Sequence, residues 1–186
     1  MPPPAFVHLR LHSEYSIVDG MVRLGDAVAK AAGDGMPALA LTDLANLFGM
    51  VKFYSSARSR GIKPIVGCDA WVAPAAGAIA ESDRDRPTRL LLLAKNHGGY
   101  LRLCELLTQA YLGPRQRGRA EISRAAFAGG DNSGLIALSG AALGDVGQSL
   151  LMGSTAPAEA AAREWARLFP DSYYIEIQRY GQPQGE

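Results

Sequence analysis

Apolar positions follow two rhythms along this chain. Short runs that are apolar at nearly every position predict buried strands at Phe6 to Leu9, Ala38 to Thr42, Pro64 to Val72, Arg89 to Ala94, Gly134 to Ser139 and Tyr173 to Gln178. Between them the apolar residues recur at helical spacing: Leu24, Ala27, Val28, Ala31 and Ala32 make one stripe, and Leu103, Leu106, Leu107, Ala110 and Tyr111 another. Leu47, Met50, Val51 and Tyr54 predict a helix that stops at Arg60-Gly61, a basic residue followed by the residue that most easily turns left-handed. A last helix is expected with Ser154 or Thr155 as its cap, Pro157 in its first turn, and Ala161, Trp165, Leu168 and Phe169 facing inward.

Strands that are apolar throughout, alternating with amphipathic helices, predict a parallel sheet covered by helices. Gly98-Gly99 and Gly129-Gly130 match neither nucleotide-binding glycine fingerprint. Their mismatch weighs against an open nucleotide-binding sheet and favours a barrel. Ala73 to Pro87, rich in Ala, Gly, Asp and Arg, reads as a loop.

Length and composition narrow the class. The 186 residues suit one domain, and 48% hydrophobic with 20% charged residues is ordinary for a globular protein. A net charge of +1 excludes a global basic field of the nucleic-acid-binding kind. No apolar run is long enough for a membrane span and no secretory signal opens the chain, so a cytoplasmic location is expected. Cys68 and Cys104 lie apart in apolar segments, which predicts two reduced cysteines.

The candidate chemistry sits where strands end. Arg10, His12 and Asp19 follow the first strand, Asp43 the second, Asp69 lies in the third, Lys95 and Asn96 follow the fourth and Ser139 closes the fifth. Alternation would put His8, Arg10 and His12 on one face of the first strand. A hydrolytic metal cluster needs many nitrogen and carboxylate donors, and the chain has 3 histidines. Arg10 has no lone pair to give a metal, and Leu44 has nothing to give. His12, Asp19 and Asp69 could still hold one divalent ion weakly; the other reading is a polar cap in which Arg10 pairs with the carboxylates. Arg115, Arg117 and Arg119, with Arg124, form a basic loop that could touch a phosphate backbone, which keeps a nucleic-acid-binding module in play.

The run Phe6-Val7-His8-Leu9-Arg10-Leu11-His12-Ser13-Glu14-Tyr15-Ser16, then Asp19-Gly20, resembles the start of the α subunits of bacterial DNA polymerase III, the replicative rather than the error-prone type. Gly35-Met36-Pro37-Ala38-Leu39-Ala40-Leu41-Thr42-Asp43, Asn46-Leu47-Phe48-Gly49, Lys52-Phe53-Tyr54, Gly61-Ile62-Lys63-Pro64-Ile65-Val66-Gly67, Leu93-Ala94-Lys95-Asn96 and Gly144-Asp145-Val146-Gly147 extend the resemblance over the whole chain. It implies a polymerase and histidinol phosphatase (PHP) domain: a distorted seven-stranded β/α, TIM-like barrel, occupying residues 1–186 and truncated before its last strand, with the polymerase palm, thumb and fingers absent.

In active members of that family a metal cluster at the barrel mouth hydrolyses phosphoesters, in some polymerases as a proofreading nuclease. Here the first His-x-His motif reads Arg10-Leu11-His12 and the Thr-Asp-His motif reads Thr42-Asp43-Leu44. Asp19 matches an acidic ligand, Asp69 stands for a Glu, and further ligand positions fall near Gln109 and Ala141. The resemblance therefore implies a degenerate, metal-free and non-catalytic member, with at most one weakly bound Mg, Mn or Zn ion. Its expected roles are to stabilise the polymerase and to dock a separate proofreading exonuclease subunit. The parent chain would be a Mg-dependent nucleotidyltransferase that meets the sliding clamp and DNA. A metal-dependent phosphoesterase or 3'-5' nuclease is the rival expectation.

Overall fold

In the computed structural model, residues 6–74, 87–113 and 118–178 are described. The chain divides after Asp69 into two compact units.

The first unit carries α1 (Leu24–Gly33), β1 (Ala38–Leu41), α2 (Met50–Ser59) and the start of β2 (Lys63–Val72). β1 and β2 pair in parallel from Ala38 opposite Lys63 to Leu41 opposite Val66. All four residues of β1 are buried, because a parallel strand under helices has no solvent face. Leu24, Val28 and Ala31 of α1, Leu39 and Leu41 of β1, and Phe53 and Ala57 of α2 form the core, closed by Ile62. The predicted stop of α2 is where it was expected: Arg60 caps it and Gly61 follows at φ +73°.

The expected first strand is not one. Residues 6–12 have no regular assignment, although they lie along β1 and accept its backbone bonds. Ala40 N–H donates to the His8 carbonyl at 3.0 Å and Thr42 N–H to the Leu11 carbonyl at 2.9 Å. The two-residue step from Ala40 in β1 to Thr42 just after it thus faces a three-residue step from His8 to Leu11, the frame offset of a bulge. Alternation breaks with it. His8 shares the lining of a groove with Leu11, Val22 and Leu39, rather than a face with Arg10 and His12.

The second unit holds the end of β2, β3 (Thr88–Ala94), α3 (His97–Leu112), β4 (Glu121–Ile122), α4 (Arg124–Ala128), β5 (Leu135–Leu138), a 3-10 turn at Ala141–Leu143, α5 (Asp145–Leu151), α6 (Thr155–Leu168) and β6 (Tyr173–Tyr174). Trp71 and Val72 pair in parallel with Glu121 and Ile122 of β4, a two-residue strand too short for a pattern to announce. β5 and β6 are parallel, whereas β3 and β5 are antiparallel, with Leu91 opposite Leu138 and Ala94 opposite Leu135. The all-parallel expectation is corrected there. An unbroken apolar run reports burial on both faces and carries no information on direction. The sheet is mixed, and no pairing among the described residues closes it into a barrel. Phe127 meets Trp165 and Phe169 edge-on at centroid distances of 5.3 and 5.8 Å, Trp165 and Phe169 lie tilted at 6.2 Å, and the three fill the space beneath α4 and α6.

The glycine pair that fits no phosphate loop has a packing task. A Cβ on Gly99 would lie 1.8 Å from the Gly134 carbonyl oxygen, so only glycine lets the first turn of α3 reach the entry of β5. Asn96 caps that turn, its side chain accepting from Gly99 N–H at 2.9 Å, and Lys95 N–H bonds Gly134 at the same distance.

Candidate functional site

The polar residues of the first unit converge at the C-terminal ends of β1 and its share of β2. The arrangement starts with a closed loop: Glu14 N–H bonds the Val22 carbonyl at 2.8 Å, and Ser16 and Gly20 N–H turn back onto Ser13 and Ser16. Gly20 is required, since a Cβ there would meet the Ser13 carbonyl oxygen at 1.7 Å. That loop holds Asp19 over the ends of the strands. Opposite it, Ala45 takes φ +54° and donates to the Asp69 carbonyl at 2.8 Å, while Leu44 bridges to Asp69.

At the centre is His12. Its Nδ1 lies 3.0 Å from both carboxylate oxygens of Asp19, and its Nε2 lies 3.1 Å from Asp69. Neutral imidazole has one N–H, so only the imidazolium donates to both acids. Burial pulls the His12 pKa down, but Asp69 and Asp19 together outweigh it, and the net shift is upward. Arg10 Nη1 bonds the same Asp69 oxygen, and the Asp69 side chain is fully buried. Arg10 therefore reaches Asp69, a carboxylate expected to hold it.

Asp43 does not join it. Its side chain accepts from Ser13 N–H at 2.6 Å and Ser13 Oγ at 3.0 Å. Burial pushes the Asp43 carboxyl up from its ordinary range, and the Ser13 bonds partly offset this. Ser16 Oγ donates to Asp19 at 2.6 Å and accepts from Leu44 N–H at 3.0 Å. Ser13 and Ser16, both buried, are the residues that sequence reasoning missed. The available signal was their spacing, one loop turn apart beside an acid that has no cation of its own. Cys68 Sγ bonds the Asp43 carbonyl at 3.4 Å, and burial raises the thiol's pKa so that it stays neutral.

The remaining candidates belong to the second unit. Gln109 is exposed on α3 and donates to Glu105 at 3.2 Å; Ala141 opens the 3-10 turn at φ +48°. Lys95 bonds Ser172 Oγ at 2.9 Å, and Ser139 Oγ accepts from Glu176 N–H at 2.9 Å, both structural tasks. Arg119 pairs with Glu121 at 3.1 Å and lies over Trp71, whereas Arg115 and Arg117 fall outside the described residues, as does most of the Ala73 to Pro87 loop. Arg124 is held by Asp145 and Glu164.

These donors do not fit a metal ion. Both nitrogens of His12 are already turned to carboxylates, the guanidinium of Arg10 holds Asp69, and Leu44 offers no lone pair. No group of three or more His, Cys, Asp or Glu among the described residues is arranged to hold one. Two fixed cations instead lie among the acids.

A family model for the PHP domain matches residues 8–180. The chain belongs to the PHP domain family. It is 49% identical over 181 residues to the DNA polymerase III subunit alpha of Neisseria meningitidis serogroup A, covering 96% of this chain and 15% of that protein. The alpha subunit of Pseudomonas aeruginosa is 45% identical over 94% of this PHP domain and 14% of its own length, and that of Escherichia coli K12 is 43% identical over 100% and 15%. This PHP domain thus spans about 15% of the length of its curated relatives. Among solved structures, an amidohydrolase from Chromobacterium violaceum overlaps 57% of this chain and 33% of its own at a TM-score of 0.43 and 22% identity. No helix among the described residues is long and apolar enough to cross a membrane.

The doubly bonded His12 makes a testable pH dependence. Its pKa in the folded state is raised above 6.5, so its contribution is fully present below that value and is lost as pH rises through the higher folded value. Asp43, whose pKa burial also raises, acts in the same sense, but in the acid range above 3.8. Urea midpoints should therefore fall between about pH 6 and 8, and His12→Gln should flatten that limb. An equally steep fall in the variant would assign the effect elsewhere.

Proposed function

We propose that this PHP domain is a non-catalytic scaffold at the N-terminal end of a bacterial replicative DNA polymerase, where it stabilises the polymerase and docks a separate proofreading exonuclease subunit. The observation that supports this is the ion-paired site: Arg10 stands at the first His-x-His position and bonds Asp69, and Leu44 stands where the Thr-Asp-His motif ends. Asp19 and Asp69 keep acidic ligand positions, and Gln109 and Ala141 take the places of two further ligands. Polymerisation itself, with its Mg requirement and its contacts to clamp and DNA, is assigned to the rest of the parent chain.

A docking face relies on shape and buried anchors rather than on a Lewis acid. The polymerase subunit that carries this domain should therefore bind the exonuclease subunit with the same affinity in Mg buffer and in chelator, as read by size exclusion and titration. Chelator-sensitive docking would overturn the metal-free scaffold. So would chelator-sensitive hydrolysis of a phosphoester by this domain at an enzyme-like rate.

A further inference from the structure

Between Asp43 and Asp69 the sequence has no Asp or Glu, yet it contains Lys52, Arg58, Arg60 and Lys63. The structure separates these charges in space as well. Five of the six acids of the first unit are turned inward or already paired: Asp19, Asp43 and Asp69 in the site, Glu14 with Arg23, and Asp34 with Lys30; Asp26 is exposed on α1. The bases gather on α2 and the turn after it. Phe53 and Ala57 bury one side of α2 in the core, which leaves Tyr54 and Arg58 on the exposed side with Lys52 beside them. Lys52 has Glu14 at 3.4 Å, and among the described residues the Arg60 side chain bonds the neutral Ser56 hydroxyl, at 3.0 Å, and no acid. Arg58 and Lys63 are exposed and form no ion pair among the described residues.

We propose that the outer face of α2, with Arg58, Arg60 and Lys63 at its C-terminal end, binds the phosphate backbone of single-stranded DNA. A basic residue in the last turn of a helix complements its dipole, and Arg58 serves that end whatever else it does. The dipole does not account for Lys63, which lies beyond the helix at the start of β2. Exposed cations on long side chains, with serine and tyrosine hydroxyls between them, suit phosphate oxygens, which accept from both groups. The exposed ring of Tyr54 adds a surface on which an unpaired base can stack. The choice of DNA over an acidic protein rests on the polymerase reading; the docking of the exonuclease does not enter it.

The test uses the full polymerase subunit and this domain in parallel, with a fluorescent thymidine oligonucleotide of about 20 nucleotides and anisotropy read from about 50 to about 200 mM salt. Arg58→Ser, Arg60→Ser and Lys63→Ser together should weaken binding by the isolated domain about tenfold at the low-salt end. They should also reduce the slope of log affinity against log salt by about 2, at roughly 0.7 per phosphate contact. In the full subunit the slope should drop by a similar amount. The thermal melt of the variant should match that of the parent, which separates lost contacts from lost fold. Absence of oligonucleotide binding by the unaltered domain would overturn the proposal, as would an unchanged slope in the triple variant. Transfer of the whole loss to Arg115→Ser with Arg117→Ser would overturn it in favour of the arginine loop. Displacement of the oligonucleotide by poly-glutamate at equal charge concentration would overturn it in favour of an acidic protein. Exonuclease docking measured on the same variant keeps the two readings apart: docking that survives while the slope collapses supports this inference alone, and an unchanged slope with docking intact overturns this inference alone.

Discussion

Arg10→Ala is expected to destabilise the domain by about 2–4 kcal/mol, several times the effect of a surface substitution such as Arg163→Ala. Asp69 is fully buried at the end of β2 and receives both Arg10 and His12. Removing the guanidinium leaves a buried carboxylate with one cation instead of two, while the Arg10 side chain is 23% exposed and so only lightly screened. The energetic loss comes mainly from the charge that stays behind. Arg10→Ala combined with Asp69→Asn should therefore recover much of the loss, since the double variant buries no unpaired charge. Urea unfolding of the four species closes the cycle. Equal midpoints for Arg10→Ala and Arg163→Ala would show that the pair contributes nothing.

The second large effect is expected in the other unit and involves no charge. Gly99→Ala should destabilise by about 3–5 kcal/mol or prevent folding, because the added carbon would sit 1.8 Å from a backbone oxygen that cannot rotate away. The Gly134 carbonyl is itself bonded to Lys95 N–H, so relief of the clash breaks a second contact. Gly25→Ala in α1 is the control: its Cβ would meet nothing within 4 Å, and a helical alanine should stabilise by about 0.5–1 kcal/mol. Thermal melts of the two variants should move in opposite directions. A Gly99→Ala protein that melts with the parent would mean that α3 and β5 do not meet as closely as described.

The sequence is most legible where local rules and burial agree. The stripe of α1, the buried run of β1 and the Arg60-Gly61 stop of α2 all appear as patterning predicts, because each depends on near neighbours. Direction is not local: Leu90 to Leu93 are buried on both faces of a strand that is antiparallel to one partner, and no property of those leucines encodes which way the partner runs. At the site, the pairing of Arg10 with an acid follows from charge balance among gathered carboxylates. Which acid it takes depends on Ser13 having already satisfied Asp43, a contact set by the loop from Ser13 to Val22 and not by charge. The missing first strand has a similar origin: the residues have strand character, but one of them has no place in the frame.

That offset between His8 and Leu11 sets a rule for building chimeras. Within an evenly paired segment, a block of homologous sequence can be exchanged at any point and each side chain keeps its direction. Across the offset, a junction that adds or drops one position would send Leu11 toward the acids and Arg10 toward the groove that His8 now lines. A single deletion would thus rewire every contact at this pole at once, where a substitution alters one. Exchange points for domain shuffling belong before His8 or after Ser13, so that the whole segment travels as one cassette.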